Sequence, residues 1–376
     1  MKQRITLQDL KVGQPLPWDA YGADGVLLLR KGQSVPSQAS LERLISDGLF
    51  LLREESSSRP ADSAAAEKPT AMQHLVDARR TLGNICANSP EQTLDFSGRL
   101  AKLIDSVQTA CDTHPALTMS SILLMHDTSY TIKHAIDTAI LACLLARELA
   151  LDDATKRATI GAALTMNIGM LEVQDKLDAI SGTLNDKLVA MIRQHPLRGA
   201  ERLKRLGISD GQWLTCVRQH HENSDGSGYP DGLAGDAIAI GARIIGVADK
   251  YGAMVSSRSY HGPQKPNQAL RDLYLKQGQQ IDVTVAATLI RIVGIYPVGT
   301  LVRLKTAEIG VVTGAGESPD TPAVHAVIAK SGLFLEIASY RKTHLPEAAI
   351  EEVITFDKLS MPVRMSNVWG KEAKFT

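Results

Sequence analysis

The spacing of apolar side chains divides the chain into a long helical stretch between two segments with strand-like patterns. From about residue 72 to residue 293, apolar positions recur with the spacing of helix faces. The run from Ile132 to Leu151 is dense in Ala, Leu and Ile, which predicts a helix that is buried on most of its surface. We therefore predict a mainly α protein whose central helical domain spans 72–293.

Polar capping residues predict where several of these helices begin. Asp152 and Asn185 each precede a run with helical periodicity and are typical N-cap residues. The helix after Asn185 is expected to end near His195-Pro196, because an internal proline lacks a backbone donor and clashes with the preceding turn. Further helices are predicted over about 210–221 and 237–256.

The two flanking segments have the patterns of β structure. Residues 1–53 contain the hairpin signal Asp24-Gly25 before an apolar run, which predicts a small β-rich N-terminal domain in which Ser37 caps a short helix. Residues 54–71 are rich in Ser, Ala, Pro and charge, and we predict a flexible linker there. Residues 294–376 are predicted to form a C-terminal β appendage that ends in a helix or tail. Its strands are expected at 300–304, 309–313, 324–328 and 333–337.

Composition and charge exclude several classes of function. The chain has 41 basic and 41 acidic side chains, so no global basic field indicates binding to DNA or RNA. No apolar run is long enough to span a bilayer, and the N-terminal residues lack the apolar core of a signal peptide, so we expect a cytoplasmic protein. The four cysteines form no Cys-x-x-Cys pair, which favours reduced core thiols over a zinc site.

The densest group of potential metal-binding side chains lies between His220 and Pro230. Two adjacent histidines and Glu222 precede a glycine-rich turn that ends in Gly228-Tyr229-Pro230. Adjacent histidines are poor core residues because every ring nitrogen needs a partner. Neutral imidazoles are good ligands for zinc, iron, manganese and copper. The segment therefore indicates a metal site beside a shaped loop.

This segment resembles the signature of HD-GYP proteins, which are metal-dependent phosphodiesterases of the bacterial messenger cyclic di-GMP. The resemblance covers about 72–293 and implies the helical fold of the HD superfamily, with residues from several helices around one or two divalent ions such as iron or manganese. A lone histidine in a helix is ordinarily a core residue, but the resemblance makes His134 a ligand. The implied ligands are His134, His195, His220, His221 and Asp249. Glu222 and Asp225 are expected to orient the imidazoles. Arg258 is either a phosphate-binding residue, as in the family, or a solvated loop arginine.

The namesake dyad of the family is absent. Where HD-GYP proteins read His-Asp-Ile-Gly-Lys, this chain reads Met166-Asn167-Ile168-Gly169-Met170, and the retained Ile-Gly fixes the register. A thioether is a poor ligand for these metals, Asn167 carries no charge to bridge two cations, and Met170 cannot pair with a phosphate. We therefore expect one ion or none rather than two.

Three functions follow from this combination. The favoured interpretation is a catalytically impaired cyclic di-GMP signalling protein that binds nucleotide or partner proteins. The intact Gly228-Tyr229-Pro230 loop, which in the family can contact diguanylate cyclase domains of the GGDEF type, supports it. The alternative is an active phosphodiesterase that hydrolyses the messenger to pGpG or GMP with the remaining ligands. The third interpretation is an interaction scaffold that binds no ligand.

Overall fold

The fold is that of a computed structural model, and it describes most of the helical and C-terminal parts of the chain. The described residues are 2–4, 14, 16, 20–22, 27–29, 49–52, 68–87, 89–126, 128–172, 174, 185–257, 262–276, 279–359 and 361–374. The predicted Asp24-Gly25 turn, the predicted helix after Ser37, most of the predicted linker and Arg258 lie outside these residues.

Helices occupy the centre of the chain, and side chains cap several of them as the sequence predicts. Asp152 accepts a hydrogen bond from the backbone N–H of Thr155, and Asn185 accepts one from Leu188. The helices are α1 Ala71–Ala87, α2 Phe96–Thr113, α3 Pro115–Leu124, α4 Tyr130–Glu148, α5 Asp153–Thr165, α6 Asp186–Arg205, α7 Gly211–Gln219, α8 Ile240–Val255, α9 Pro266–Lys276, α10 Val283–Val293 and α11 Met365–Trp369. A short 3-10 turn follows α5 at Ile168–Met170.

The predicted end of a helix near His195-Pro196 is wrong, because α6 continues to Arg205 with the proline inside it. The proline removes the N–H that would normally bond to the carbonyl of Ile192. That carbonyl instead accepts a hydrogen bond from Nδ1 of His195. The side chain of His195 thus satisfies the group that Pro196 leaves open, and the helix passes through.

Two antiparallel sheets flank the helices, and the predicted fold class is confirmed. The N-terminal sheet has the order β1-β4-β2-β3, and the C-terminal sheet has the order β8-β7-β6-β5-β9. The sequence analysis missed the last strand. The strands are β1 Lys2–Arg4, β2 Ala20–Gly22, β3 Leu27–Leu29, β4 Leu49–Leu52, β5 Leu301–Leu304, β6 Ile309–Gly314, β7 Ala323–Ile328, β8 Phe334–Arg341 and β9 Ile350–Ile354.

One apolar core joins the helices to the C-terminal sheet. Leu301, Val311 and Ile354 of this sheet belong to the same buried cluster as the residues of α1 to α5. A Cβ on Gly299 would lie 2.8 Å from Cα of Ser120, so the chain before β5 lies directly on α3. The predicted domain boundaries stay predictions, although the C-terminal sheet packs on the helices. Within the described residues, no helix has both the length and the apolarity that a membrane span requires.

Gly169 should be needed for packing rather than for backbone conformation. A Cβ there would lie 2.2 Å from the carbonyl oxygen of His195 and 2.6 Å from the backbone nitrogen of Gly199. Gly169→Ala should therefore lower the free energy of unfolding by about 1–3 kcal/mol. Gly211→Ala is the matched control, because no atom lies within 4 Å of the added Cβ and alanine favours the helix. Urea unfolding measures both, and equal stability of the two variants would contradict this close packing.

Candidate metal centre

Three histidines converge at the centre of the helical domain. His195 lies within α6, and His220 and His221 follow the last residue of α7. One ligand atom from each lies within 4.8 Å of the other two. The Nε2 atoms of His195 and His220 are 3.2 Å apart. The structure thus brings together three of the five predicted ligands.

Backbone carbonyls set the tautomers of two of these imidazoles. A carbonyl oxygen only accepts, so Nδ1 of His195 donates to Ile192 and Nδ1 of His220 donates to Val217 at 2.7 Å. In the neutral ring the proton is then on Nδ1, and Nε2 carries a lone pair. The two facing Nε2 atoms therefore present lone pairs to each other, an arrangement that a shared cation would stabilise.

Burial keeps these imidazoles neutral. Desolvation, reinforced by repulsion between the rings, lowers the pKa of His195 to about 4 and the pKa of His220 and of His221 to about 3. The negative charge of Asp249 partly opposes the shift of each pKa. Neutral imidazole is the form that binds metal ions.

The other two predicted ligands form a pair. Nε2 of His134 on α4 lies 2.6 Å from Oδ1 of Asp249 on α8. Burial of this carboxylate would raise its pKa, but the hydrogen bond and the charge of His134 outweigh burial and hold the pKa below its usual range. Nδ1 of His134 is buried, and within the described part of the chain it has no hydrogen-bond partner. A Cβ on Gly246, three residues before Asp249 on α8, would lie 3.0 Å from the carbonyl oxygen of His220, so the helix that carries Asp249 packs against the cluster.

Glu222 and Asp225 shape the glycine-rich loop, and their predicted role of orienting the imidazoles stays a prediction. The Glu222 carboxylate accepts hydrogen bonds from the backbone N–H groups of Asp231 at 2.6 Å and Leu233 at 3.0 Å. Asp225 accepts from the backbone N–H and the hydroxyl of Ser227. Among the clustered rings, those of His195 and His220 are hydrogen-bonded to backbone carbonyls. Both carboxylates accept hydrogen bonds within the loop, because the turn leaves several backbone N–H groups without backbone partners.

The segment in place of the dyad lies against the helix that carries His195. The close approach of Gly169 to the carbonyl of His195 fixes this position and agrees with the register predicted from Ile168-Gly169. Met166 is fully buried in the apolar core. Asn167 lines a cavity of about 30 Å³ whose other walls are almost entirely apolar, with Leu164 and Leu171 among them. The dyad positions thus combine one core side chain and one uncharged amide.

Two cations near the cluster escaped the sequence analysis. The guanidinium of Arg193 lies 5.2 Å from the centre of the Tyr229 ring, which in turn lies 4.8 Å from the ring of His221. Nζ of Lys250 donates to Oδ1 of Asn223 at 3.0 Å, and burial lowers the pKa of this lysine. The sequence signal for Lys250 was its place next to Asp249 in an apolar helix. Arg193 had no comparable signal, because its contact joins α6 to a distant loop.

The donor set of this centre fits a divalent metal ion. Three neutral imidazoles, two of which have their tautomers fixed by backbone carbonyls, match the preferences of iron, manganese or zinc for nitrogen ligands. His134 and Asp249 would complete the set for a single ion. Without a carboxylate at position 167, the described residues offer no group there to bridge two ions.

Comparison with known proteins relates the sequence to HD-domain proteins. Residues 102–285 match the family profile described as "HD domain". A cyclic di-GMP phosphodiesterase of Pseudomonas aeruginosa, PA4108, is 34% identical over 234 residues, which are 62% of this chain and 56% of that protein. PdeB of Borreliella burgdorferi, another cyclic di-GMP phosphodiesterase, is 27% identical over 209 residues, 55% of each protein. A solved HDG"Y"P protein from Bdellovibrio bacteriovorus has a TM-score of 0.48 at 17% identity, over 78% of this chain and 99% of that one.

The profile match and the helical site define this chain as an HD-domain protein, a class that depends on metal ions. Because the chain also has the glycine-rich signature loop and is similar to curated cyclic di-GMP phosphodiesterases, it belongs to the HD-GYP family. The chain spans about half the length of the curated relatives described above.

The pKa shifts of the cluster predict how stability depends on pH. Below about pH 6.5 the unfolded chain protonates its histidines, whereas folded His195 and His220 stay neutral to about pH 4 and about pH 3. The unfolded state thus binds more protons, and stability should fall with decreasing pH by about 1.4 kcal/mol per unit for each buried histidine. Urea titration of EDTA-treated protein from about pH 7 to about pH 4 measures this slope. His220→Asn should flatten it, and an unchanged slope would contradict the assignment.

Proposed function

We propose that this chain is a cyclic di-GMP signalling protein that binds one divalent ion and the messenger and hydrolyses the messenger weakly or not at all. The observation that carries the proposal is the intact cluster of three neutral imidazoles next to a dyad segment made of Met166 and Asn167. The cluster supports metal binding, and the altered segment removes the bridging carboxylate.

The chemistry of the missing groups supports impaired turnover. When both metal ions are bound, a two-metal centre activates water and neutralises the charge that develops on the phosphate. In this chain His195, His220 and His221 would hold one ion, with His134 and Asp249 beside it. A mononuclear centre would still bind and orient a phosphate, but it lacks the second positive charge.

Cations that flank the cluster support binding of a phosphodiester. Arg193 lies over Tyr229, and Lys250 is held by Asn223 next to Asp249. A guanidinium is well suited to two-point contact with a phosphate. These side chains would supply charge that Met170 does not. Several relatives act on cyclic dinucleotides by their names, including 3'3'-cGAMP-specific phosphodiesterase 1 of Vibrio cholerae, 33% identical over 143 residues.

An active phosphodiesterase is the second candidate. All five predicted ligands that the structure describes lie in the cluster or in the adjacent His134–Asp249 pair. The two curated relatives described above are phosphodiesterases by name. Slow hydrolysis to pGpG or GMP would then occur at a centre with one ion.

The loop Gly228-Tyr229-Pro230 is the proposed contact for protein partners such as GGDEF domains. The Glu222 carboxylate accepts hydrogen bonds from the backbone N–H groups of Asp231 and Leu233, just after the loop, so the loop keeps its shape without substrate. This surface would persist whether or not the protein turns over the messenger. A pure scaffold would use it with no ligand, and a cytoplasmic location is part of each of these proposals.

Hydrolysis of cyclic di-GMP tests the proposal directly. Purified protein is assayed anaerobically with added iron or manganese, beside His220→Ala and a triple variant that restores the dyad (Met166→His, Asn167→Asp, Met170→Lys). We expect the unaltered chain to match His220→Ala at background. The triple variant should bind more metal and gain turnover, provided that its thermal unfolding shows it folded. Turnover by the unaltered chain that His220→Ala abolishes would establish the active phosphodiesterase instead.

Removal of one flanking cation should weaken the nucleotide without affecting the metal. Arg193→Ala should lower the affinity for cyclic di-GMP about tenfold or more, because a hydrogen bond to a charged group contributes about 1.5–3 kcal/mol. Arg198→Ala is the control, since Arg198 lies on the same helix and its guanidinium donates to the side chain of Gln194 at 2.8 Å. Calorimetry measures nucleotide and Mn²⁺ affinity for each variant. Equal nucleotide affinity in the two variants would exclude a role for Arg193.

A further inference from the structure

A cavity of about 660 Å³ lies between the end of α3 and the C-terminal helix α11, and it shares no residue with the metal centre. Its volume is in the range of small-molecule sites, about 300–1,000 Å³. Met72, Leu124, Met125, Val363 and Met365 form much of its wall, and each is buried. Flexible thioethers adapt to ligands of different shape.

The polar residues of the cavity are mainly basic. Arg364, Lys374 and His126 line it, and no carboxylate is among its lining residues in the described part of the chain. Arg364 is exposed at the start of α11. An apolar wall with basic groups complements a molecule that has an apolar body and an anionic head.

A neighbouring cavity gives the site an elongated shape. A second space of about 270 Å³ shares Leu124, His126, Pro362 and Val363 with the first. The ring of His126 stacks on Phe356 with centroids 3.5 Å apart, and this pair stands where the two spaces adjoin. The second space is also lined by the carboxylate of Asp357, so an acidic head group belongs in the larger cavity beside Arg364 and Lys374. Two adjoining spaces with mainly apolar walls fit a flexible alkyl chain better than a compact ring system.

We propose that these cavities bind a single-chain amphiphile with an acidic head group, of the chemical class of the long-chain fatty acids. The alkyl chain of the amphiphile lies among the methionine and leucine side chains, and its carboxylate faces Arg364 and Lys374. This site is independent of the proposed nucleotide function, because its residues do not contact the histidine cluster.

Calorimetry with decanoate and dodecanoate, on the delipidated full chain and below their micellar concentrations, tests the proposal. We expect one molecule per chain. Dodecanoate should bind about fifteenfold more tightly than decanoate, since each buried methylene strengthens binding about fourfold. Dodecyltrimethylammonium, which has the same chain and a cationic head, should bind at least tenfold more weakly than dodecanoate. Absence of dodecanoate binding, or affinity that does not depend on chain length, would overturn the proposal.

Variants locate the bound molecule. Met125→Trp should fill the larger space and abolish dodecanoate binding, while Arg364→Glu should weaken it about tenfold or more. Lys371→Glu is the matched control, because this exposed lysine lies in the next turn but does not line the cavity. If thermal unfolding shows that Met125→Trp does not fold, the comparison of Arg364→Glu with Lys371→Glu still decides. Equal dodecanoate affinity in these two charge variants would place the molecule elsewhere and overturn the assignment.

Discussion

The centre of this protein depends on two hydrogen bonds from imidazole to backbone. His195 and His220 each donate Nδ1–H to the carbonyl of the residue three positions earlier, Ile192 and Val217. Both rings therefore turn their Nε2 lone pairs inward, where burial keeps them unprotonated. Pro196 leaves the carbonyl of Ile192 open to the ring of His195, and Gly169 packs closely against the carbonyl of His195.

Under the proposed function, the surroundings of the cluster would separate metal binding from catalysis. The imidazoles and Asp249 retain the donors that a metal ion requires, and Glu222 keeps the glycine-rich loop in shape from beneath. Met166, in contrast, has become part of the apolar core, and Asn167 faces a small, mainly apolar cavity. In this proposal Met166 preserves packing where the family has a ligand, and Asn167 lacks the charge of a bridging carboxylate, so the fold would outlast its chemistry.

Local sequence signals predicted several helices, two of their caps and the adjacent pair His220 and His221, whereas only the resemblance to the family linked His195 to this pair. Asp152 and Asn185 cap helices because their side chains reach backbone N–H groups three residues ahead, an interaction that the local sequence encodes. Contacts between distant segments were not predictable in this way. The passage of α6 through Pro196 depends on the side chain of His195, and Glu222 bonds to a turn whose path could not be known in advance. Arg193 meets Tyr229 only after α6 and the loop have come together.

A mononuclear centre is the central claim of this account. Electron paramagnetic resonance of the unaltered protein, saturated with Mn²⁺ under anaerobic conditions, tests it most directly. We predict one bound Mn²⁺ per chain with the resolved hyperfine spectrum of an isolated ion, and loss of that signal in His220→Ala. Two ions per chain with a spin-coupled spectrum would show that other groups replace the bridging carboxylate, and this result would contradict the account.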